Sequence, residues 1–406
     1  MLNARQTDEL ERMLSESPAA TQARERDTFW QLAEPFGKTF VIFGAGQLGQ
    51  KVAHALRQHG IEPLAFADSN PKMWGRSVDG ITVRSLADVA AEWGRRAAFV
   101  ISIWPSRASD TYPDRKAQLE RLGCAKVIPY LSLLWTDPAA YLPHFSLDAP
   151  HSILKDAALI RRCAGLWADE ASADAFLGIL RWRLLADFNG IPKQSSHEQY
   201  FPDDLYQIRG NDVFVDCGAF DGDTIRAIAQ RLNGTPCRIF ALEPDPQNYA
   251  ALQSYLAGLG DCGKSITALP YAVGRRKETL RFSATGTDMA SVKAEGTVTV
   301  EAISLDELLA DESPSLIKMD IEGFELEALA GAQQVIRRCR PIMAITVYHL
   351  SDHLWKVPRS IATAADPQID TSAGEDYSFF LRSYQTEFWE TVCYAVPRSR
   401  RIEQRP

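Results

Sequence analysis

The sequence predicts an α/β fold of two Rossmann-like three-layer units joined by a helical segment. Three observations predict it. The chain has 406 residues, more than one hydrophobic core usually organises. Short apolar runs alternate with longer amphipathic stretches, the order that lays strands parallel and covers them with helices. A strand that ends in glycines and opens a helix occurs twice, at Thr39–Gly49 and at Val213–Thr224.

The elements follow in order. Residues 1–36 form an N-terminal helical segment, with a helix across Asp8–Leu32. Residues 37–150 form a Rossmann-like, nucleotide-binding-type domain. Its strands are Thr39–Phe43, Pro63–Ala67, Ala97–Ile103 and Lys126–Tyr130, with a helix at Gln47–His59. Residues 151–205 form a helical connector, helical over Ser152–Leu185 and ending in a Gly/Pro/Ser loop at Asn189–Ser196. Residues 206–406 form the second α/β unit. Five strands (Val213–Asp216, Arg238–Leu242, Ala268–Ala272, Leu316–Met319, Ile342–Val347) precede two close together, Ser378–Leu381 and Glu390–Ala395. That order suits a sheet whose last strand inserts antiparallel.

Composition narrows the partners. A net charge of -8 excludes a general nucleic-acid binder, which carries a basic excess. No apolar run is long enough to span a membrane, and the N-terminus is polar, without a signal-peptide core. Seven cysteines with no CxxC pair read as reduced thiols, so the expected compartment is cytoplasmic. The basic run Arg398–Arg405 reads as a solvated tail.

The first glycine loop is Gly44, Gly46 and Gly49, a GxGxxG between a strand and a helix, with Asp68 at the next strand end. Such glycines let a phosphate approach a helix N-terminus, and the acid suits a ribose. They equally let a helix pack on a sheet that binds nothing, and both readings stand. No Tyr-x-x-x-Lys pair lies in this half, which speaks against a dehydrogenase.

The second loop runs Asp216-Cys217-Gly218-Ala219-Phe220-Asp221-Gly222-Asp223-Thr224. Phe220 stands where a diphosphate would need a glycine, so a phosphate-free ligand fits better. S-adenosylmethionine is such a ligand, and Asp216 suits its cationic end. Glu243, at the next strand end, can accept both ribose hydroxyls. Tyr271 and Ala272, ending the third strand, could flank an adenine.

The fourth strand ends Lys318-Met319-Asp320-Ile321-Glu322. In extended geometry Lys318, Asp320 and Glu322 share one face, and three such charges are costly to bury unless paired or liganded. A Lys318 ion pair with Asp320 or Glu322 is the plain alternative, and Glu325 reads as a helix N-terminal acid. His349 ends the fifth strand beside Asp320 and is a candidate base. His353 reads as a surface residue. Leu354–Pro358 reads either as a loop over the acceptor or as a hydrophobic anchor.

The second half resembles the FkbM family of methyltransferases. The resemblance rests on Gln199–Pro202, VFVDCGAFDGDTI, ALEPD, YAVG, Ile303–Asp306, IKMDIEGFELEALAGA, RPIMAITVYH and WETVCYAVP, all in order. It implies a seven-stranded class I methyltransferase sheet and S-adenosylmethionine as cofactor. It also implies methylation of a hydroxyl on a sugar, glycan or polyketide-type acceptor. The family's cofactor pattern falls on Asp216, Gly218, Gly222 and Glu243, within a cofactor-binding set that takes in Ala219, Phe220, Asp221, Thr224, Ala272 and Asp320. Its acidic motif falls on Lys318, Asp320 and Glu322. The first half looks like the Rossmann-type domains that accompany polysaccharide-modifying enzymes, which suggests a glycan or a nucleotide-sugar there.

The expected reaction is in-line displacement at the sulfonium methyl, with Asp320 or His349 taking the hydroxyl proton. A divalent cation on Asp320 and Glu322 lacks a full ligand set in the sequence and is not favoured. Two other classes remain open: an NAD(P)- or nucleotide-sugar-binding enzyme acting through the first unit, and a catalytically idle glycan-binding scaffold.

Overall fold

A computed structural model describes residues 2–104, 111–188, 191, 194–235, 237–287, 290–292, 296–366 and 376–402. The N-terminal segment is two helices, Ala4–Leu14 and Pro18–Ala33, rather than the single one expected. The break has a local cause. Ser17 caps the second helix by accepting from Ala20 N, and Pro18 takes its first position, where a missing N–H costs nothing.

The first sheet contains β1 (Phe40–Phe43), β2 (Ala65–Asp68), β3 (Ser77–Val78), β4 (Ile81–Ser85), β5 (Ala98–Ile101) and β6 (Lys126–Pro129). Their order is β3-β4-β2-β1-β5-β6, parallel except for the β3–β4 hairpin. That edge hairpin is an addition to the four strands read from sequence. The connections part on either side of β1, and the first glycine loop opens at that switch point.

The connector holds helices Pro150–Leu154, Ala157–Ala164 and Glu170–Leu185. The last is buried on nearly every side, and Ser172 Oγ accepts from Leu381 N at 2.9 Å in the second sheet. One core cluster runs from Phe29 and Phe40 through Trp182 to Ile345 and Trp355, so the two units share an interior. Half of the expected loop Asn189–Ser196 lies outside the described residues.

The second sheet is β7 (Val213–Cys217), β8 (Arg238–Leu242), β9 (Ile266–Leu269), β14 (Leu316–Met319), β15 (Ile342–Thr346), β16 (Tyr377–Ser383) and β17 (Thr391–Pro397), in the order β16-β17-β15-β14-β7-β8-β9. Six strands run in one direction, and β17 inserts antiparallel between β15 and β16, as the sequence order suggested.

Two expectations are corrected and one open alternative is settled. The strand read as Ala268–Ala272 breaks at Pro270, which has no N–H to give a ladder. Its second part, β10 (Tyr271–Val273), joins a separate four-stranded sheet with β11 (Glu278–Ser283), β12 (Ser291–Val292) and β13 (Val298–Ile303). Leu354–Pro358 lies inside a buried helix, His353–Ala365, and Trp355 Nε1 donates to Asp156 at 2.9 Å. It is therefore an anchor and not a lid. Arg400, read as tail, pairs with buried Asp212 at 2.8 Å; residues 403–405 of that run lie outside the described residues.

Candidate active site

The site grows from the C-terminal edge of the second sheet. After β7 the chain turns sharply at Gly218, where φ is +79°. A Cβ there would stand 2.0 Å from the Asp320 carbonyl oxygen, so only glycine lets the loops after β7 and β14 touch. Gly218 N and Ala219 N both donate to Leu242 O at 3.0 Å, tying the loop to β8.

Glu243, just past β8, is 5% exposed and accepts from Phe220 N at 2.9 Å and Asp245 N at 2.8 Å. Burial pushes its carboxyl up to about 7 even though these N–H groups favour the charge. Asp245 is buried too. Its oxygens accept from Gln247 N and Asn248 N, and from Thr285 N and Gly286 N, which binds the small sheet to the helix Pro246–Gly258.

Lys318 is 3% exposed. Its Nζ donates to Gly218 O at 2.6 Å and lies 3.1 Å from Asp216 Oδ1. Burial opposes the ammonium, but the charges of Asp216, Asp320 and Asp223 outweigh it and hold the lysine charged. Burial pushes Asp216 up to about 6 despite its partner. The ion pair that sequence placed between Lys318 and Asp320 or Glu322 is thus made with Asp216.

The loop after β14 curls rather than staying extended: Glu322 has φ +55° and Gly323 +98°. Asp320 Oδ2 accepts from the Tyr200 hydroxyl at 2.6 Å, and Oδ1 lies 3.4 Å from His349 Nε2. Glu322 Oε1 is 3.2 Å from the same nitrogen. Behind them Glu325, fully buried, meets His349 Nδ1 at 2.8 Å and His353 Nδ1 at 3.1 Å, and accepts from Ile321 N at 3.1 Å. Burial alone would lower His349, yet Glu325 and Glu322 raise it well above the ordinary histidine range. His353, read as a surface residue, is fully buried. Asp320, Glu325 and His349 each bring a donor atom within 4.8 Å of the others, a spacing an ion could share. Glu325 Oε1 serves Ile321, Thr346 and His349, while Glu325 Oε2, Asp320 Oδ1 and His349 Nε2 take no hydrogen bond.

These loops enclose a cavity of about 1180 Å³ counted to its open mouth. Gly218, Phe220, Glu243, Ala272, Lys318, Asp320 and Glu322, all named from sequence, line it. Asp216, Ala219, Asp221, Gly222, Thr224 and His349 do not: Asp216 sits behind Lys318, Asp221 pairs with Arg226, and His349 lies behind Asp320. Sequence reasoning missed Gln199, Tyr200, Asp223, Phe282, Tyr348 and Glu390, which also line it. Gln199, Tyr200, Tyr348 and Glu390 were legible only as part of the family strings, and Asp223 only within the glycine-loop string. Glu390 accepts from Gln199 Nε2 at 2.6 Å and from the Tyr348 hydroxyl at 3.3 Å, and burial, aided by the charge of Asp320, pushes it up to about 7.

A second cavity, about 1280 Å³ to its mouth, opens at the first glycine loop. Gly44, Gly46 and Asp68 line it. Gly49 does not; a Cβ there would meet Gly44 O at 1.9 Å, so it serves helix packing. Among the described residues no helix is long and apolar enough to cross a membrane, and six cysteines are unpaired thiols.

Residues 216–383 match the methyltransferase FkbM domain. Hexuronic acid methyltransferase AglP of Haloferax volcanii is 29% identical over 141 residues, which is 33% of this chain and 55% of that protein. The chain thus spans about half the length of the curated relative it matches. The crystal structure of methyltransferase FkbM from Methylobacillus flagellatus KT superposes with a TM-score of 0.73 at 19% identity, covering 96% of this chain and 99% of that one. At that identity the likeness shows a shared α/β fold, including the seven-stranded sheet.

Proposed function

With a methyltransferase FkbM domain in its C-terminal half, the chain is, we propose, an S-adenosylmethionine-dependent O-methyltransferase acting on a sugar-type acceptor. The observation that carries this is the cavity at the edge of β7, β8 and β14, with Gly218 and Glu243 on one wall and Asp320 on the other. The residues fit the cofactor. Glu243 keeps lone pairs free beside its two backbone bonds and can hold the ribose hydroxyls. Tyr271, Ala272, Phe282 and Val292 offer an apolar slot for an adenine. Lys318 on the cavity wall suits the cofactor's carboxylate; Asp216, behind it, acts by holding Lys318. When bound, the cofactor supplies an electrophilic methyl group.

The chain's own contribution is positioning. Tyr200 and His349 fix the two oxygens of Asp320, so this carboxylate can orient an acceptor hydroxyl. The acceptor end borders the first unit, where Trp389 packs on Trp104 at 5.3 Å and on Tyr348 at 5.6 Å. The name of the Haloferax relative favours a hexuronic acid among sugar acceptors. The test is methyl transfer from labelled S-adenosylmethionine to hexuronic-acid glycosides. Asp320→Asn should abolish transfer and spare cofactor binding; unaltered transfer in that variant would remove Asp320 from the site.

A second reading concerns the first unit. Asp68 accepts from Ala45 N at 3.0 Å and Asn70 N at 2.8 Å, repeating the bonds Glu243 makes with Phe220 N and Asp245 N. This repetition favours a nucleotide or nucleotide-sugar in the first cavity. Calorimetry with NAD and a uridine diphosphate sugar tests it, and no heat from either would leave the glycine loop a packing device.

A further inference from the structure

We propose that Glu390 is the catalytic base that takes the proton of the acceptor hydroxyl. This rests on the O-methyltransferase reading and adds to it a residue that neither the glycine loop nor the acidic strand end contains.

The argument is geometric. Every carboxylate lining the cavity has at least one oxygen engaged. Glu243 takes two backbone N–H groups. Asp223 turns an oxygen back to Thr224 N at 2.7 Å. Asp320 has the Tyr200 hydroxyl on one oxygen and His349 Nε2 beside the other. Glu322 lies against the same imidazole. Glu390 stands where the cavity borders the first unit, beside Trp389, which packs on Trp104 at 5.3 Å. Gln199 Nε2 pins Oε2 at 2.6 Å, while Oε1 has only a long contact of 3.3 Å from the Tyr348 hydroxyl. A carboxylate has about four acceptor sites, so Oε1 keeps room for a hydroxyl proton. His349 cannot substitute, because it does not reach the cavity.

The backbone supports the assignment. Glu387, Phe388 and Glu390 all have positive φ (+55°, +75° and +55°). Non-glycine residues in that region cost about 1–3 kcal/mol each and concentrate at functional sites. The turn they build aims Glu390 at the cavity and Trp389 at the first unit. The groups facing Glu390 are Asp320 from the end of β14, Tyr348 and His349 from the end of β15, and Gln199 and Tyr200 from the connector. Glu390, half-buried beside the Asp320 carboxylate, is pushed up to about 7, which is where a general base works best.

The step balances. The hydroxyl proton passes to Glu390 as the new oxygen–carbon bond forms, and the electron pair of the broken carbon–sulfur bond returns to sulfur. The proton then leaves to solvent.

The test is the pH dependence of methyl transfer to hexuronic-acid glycosides by the full chain, with S-adenosylmethionine affinity measured beside it. Wild type should gain rate as pH rises through about 7 and level off above. Glu390→Gln should lose about 10²–10⁴-fold in kcat, lose that limb, and keep wild-type cofactor affinity, which also certifies its fold. Glu390→Asp should regain part of the rate. Near-normal kcat in Glu390→Gln, or an unchanged limb, overturns the proposal. So does a methyl ester as product, since a carboxylate acceptor has no proton to lose. Cofactor binding without transfer to any glycoside overturns the O-methyltransferase reading instead, and this assignment with it.

Discussion

Replacing Lys318 with methionine should reveal the buried ion pair beneath the cofactor loop. The substitution keeps the length of the stem but leaves Asp216, which is 0% exposed, without its cation. Removing one partner of a buried pair costs about 3–5 kcal/mol. The structure sets a similar ceiling. Asp216 escapes the unpaired charge by binding a proton, and protonating a carboxyl with an unfolded value of 3.8 at pH 7 costs about 4.4 kcal/mol at about 1.36 kcal/mol per unit. That escape becomes easier as pH falls. In the variant the folded Asp216 has a pKa above its unfolded value, so the folded state binds the extra proton. Its stability is then greater at low pH and lost as pH rises. Urea unfolding should therefore show a loss of about 3–5 kcal/mol at pH 7 and about half of it at pH 5.5. Asp216→Asn combined with Lys318→Met removes the charge as well and should recover most of the loss at pH 7. A deficit under about 1 kcal/mol, the range of an exposed pair, or one that does not change with pH, would refute the ion pair as a structural element.

Further outcomes follow from the same contacts. Gly218→Ala forces a Cβ to 2.0 Å from Asp320 O at a φ of +79°; cofactor affinity should drop at least about 100-fold, while strain of the order of 1–3 kcal/mol lowers the melting temperature by only a few degrees. Burial raises Glu243 to about 7, so the unliganded chain should lose stability as pH rises from about 5 to 8; Glu243→Gln should flatten that slope in a melting-temperature series, and an equally steep slope would show that Glu243 does not contribute it. Glu325→Ala leaves His349 and His353 buried without their shared carboxylate and should cost about 3 kcal/mol or more in urea unfolding, against a smaller loss for Glu325→Gln.

Much of this was legible in the chain because strand ends carry local signals. Asp216, Glu243 and Asp320 each close an apolar run, so their place at the sheet edge could be read without a structure. What each acid does there depends on partners far away in sequence. Asp216 was expected to touch the cofactor and instead faces Lys318, a hundred residues on. His353 begins with a polar run and looked exposed, yet the helix it opens packs between the sheet and the connector and buries it completely. The small sheet was missed although β11 and β13 alternate inward Leu280, Phe282 and Val300 with polar neighbours. That period-two signal was present but lay between stronger ones. Tyr200 and Glu390 lie in the family strings, but nothing local marks them as lining a site. They come from the segments before β7 and before β17, and only the antiparallel insertion of β17 beside β15 brings Glu390 to the cavity.

The most direct measurement is calorimetric titration of the full chain with S-adenosylmethionine. The cavity beside β7, β8 and β14 predicts one site per chain, lost in Glu243→Ala and retained in Asp68→Ala. Absence of heat in the wild-type chain, or heat that survives Glu243→Ala and disappears in Asp68→Ala, would contradict it by moving the ligand to the first glycine loop.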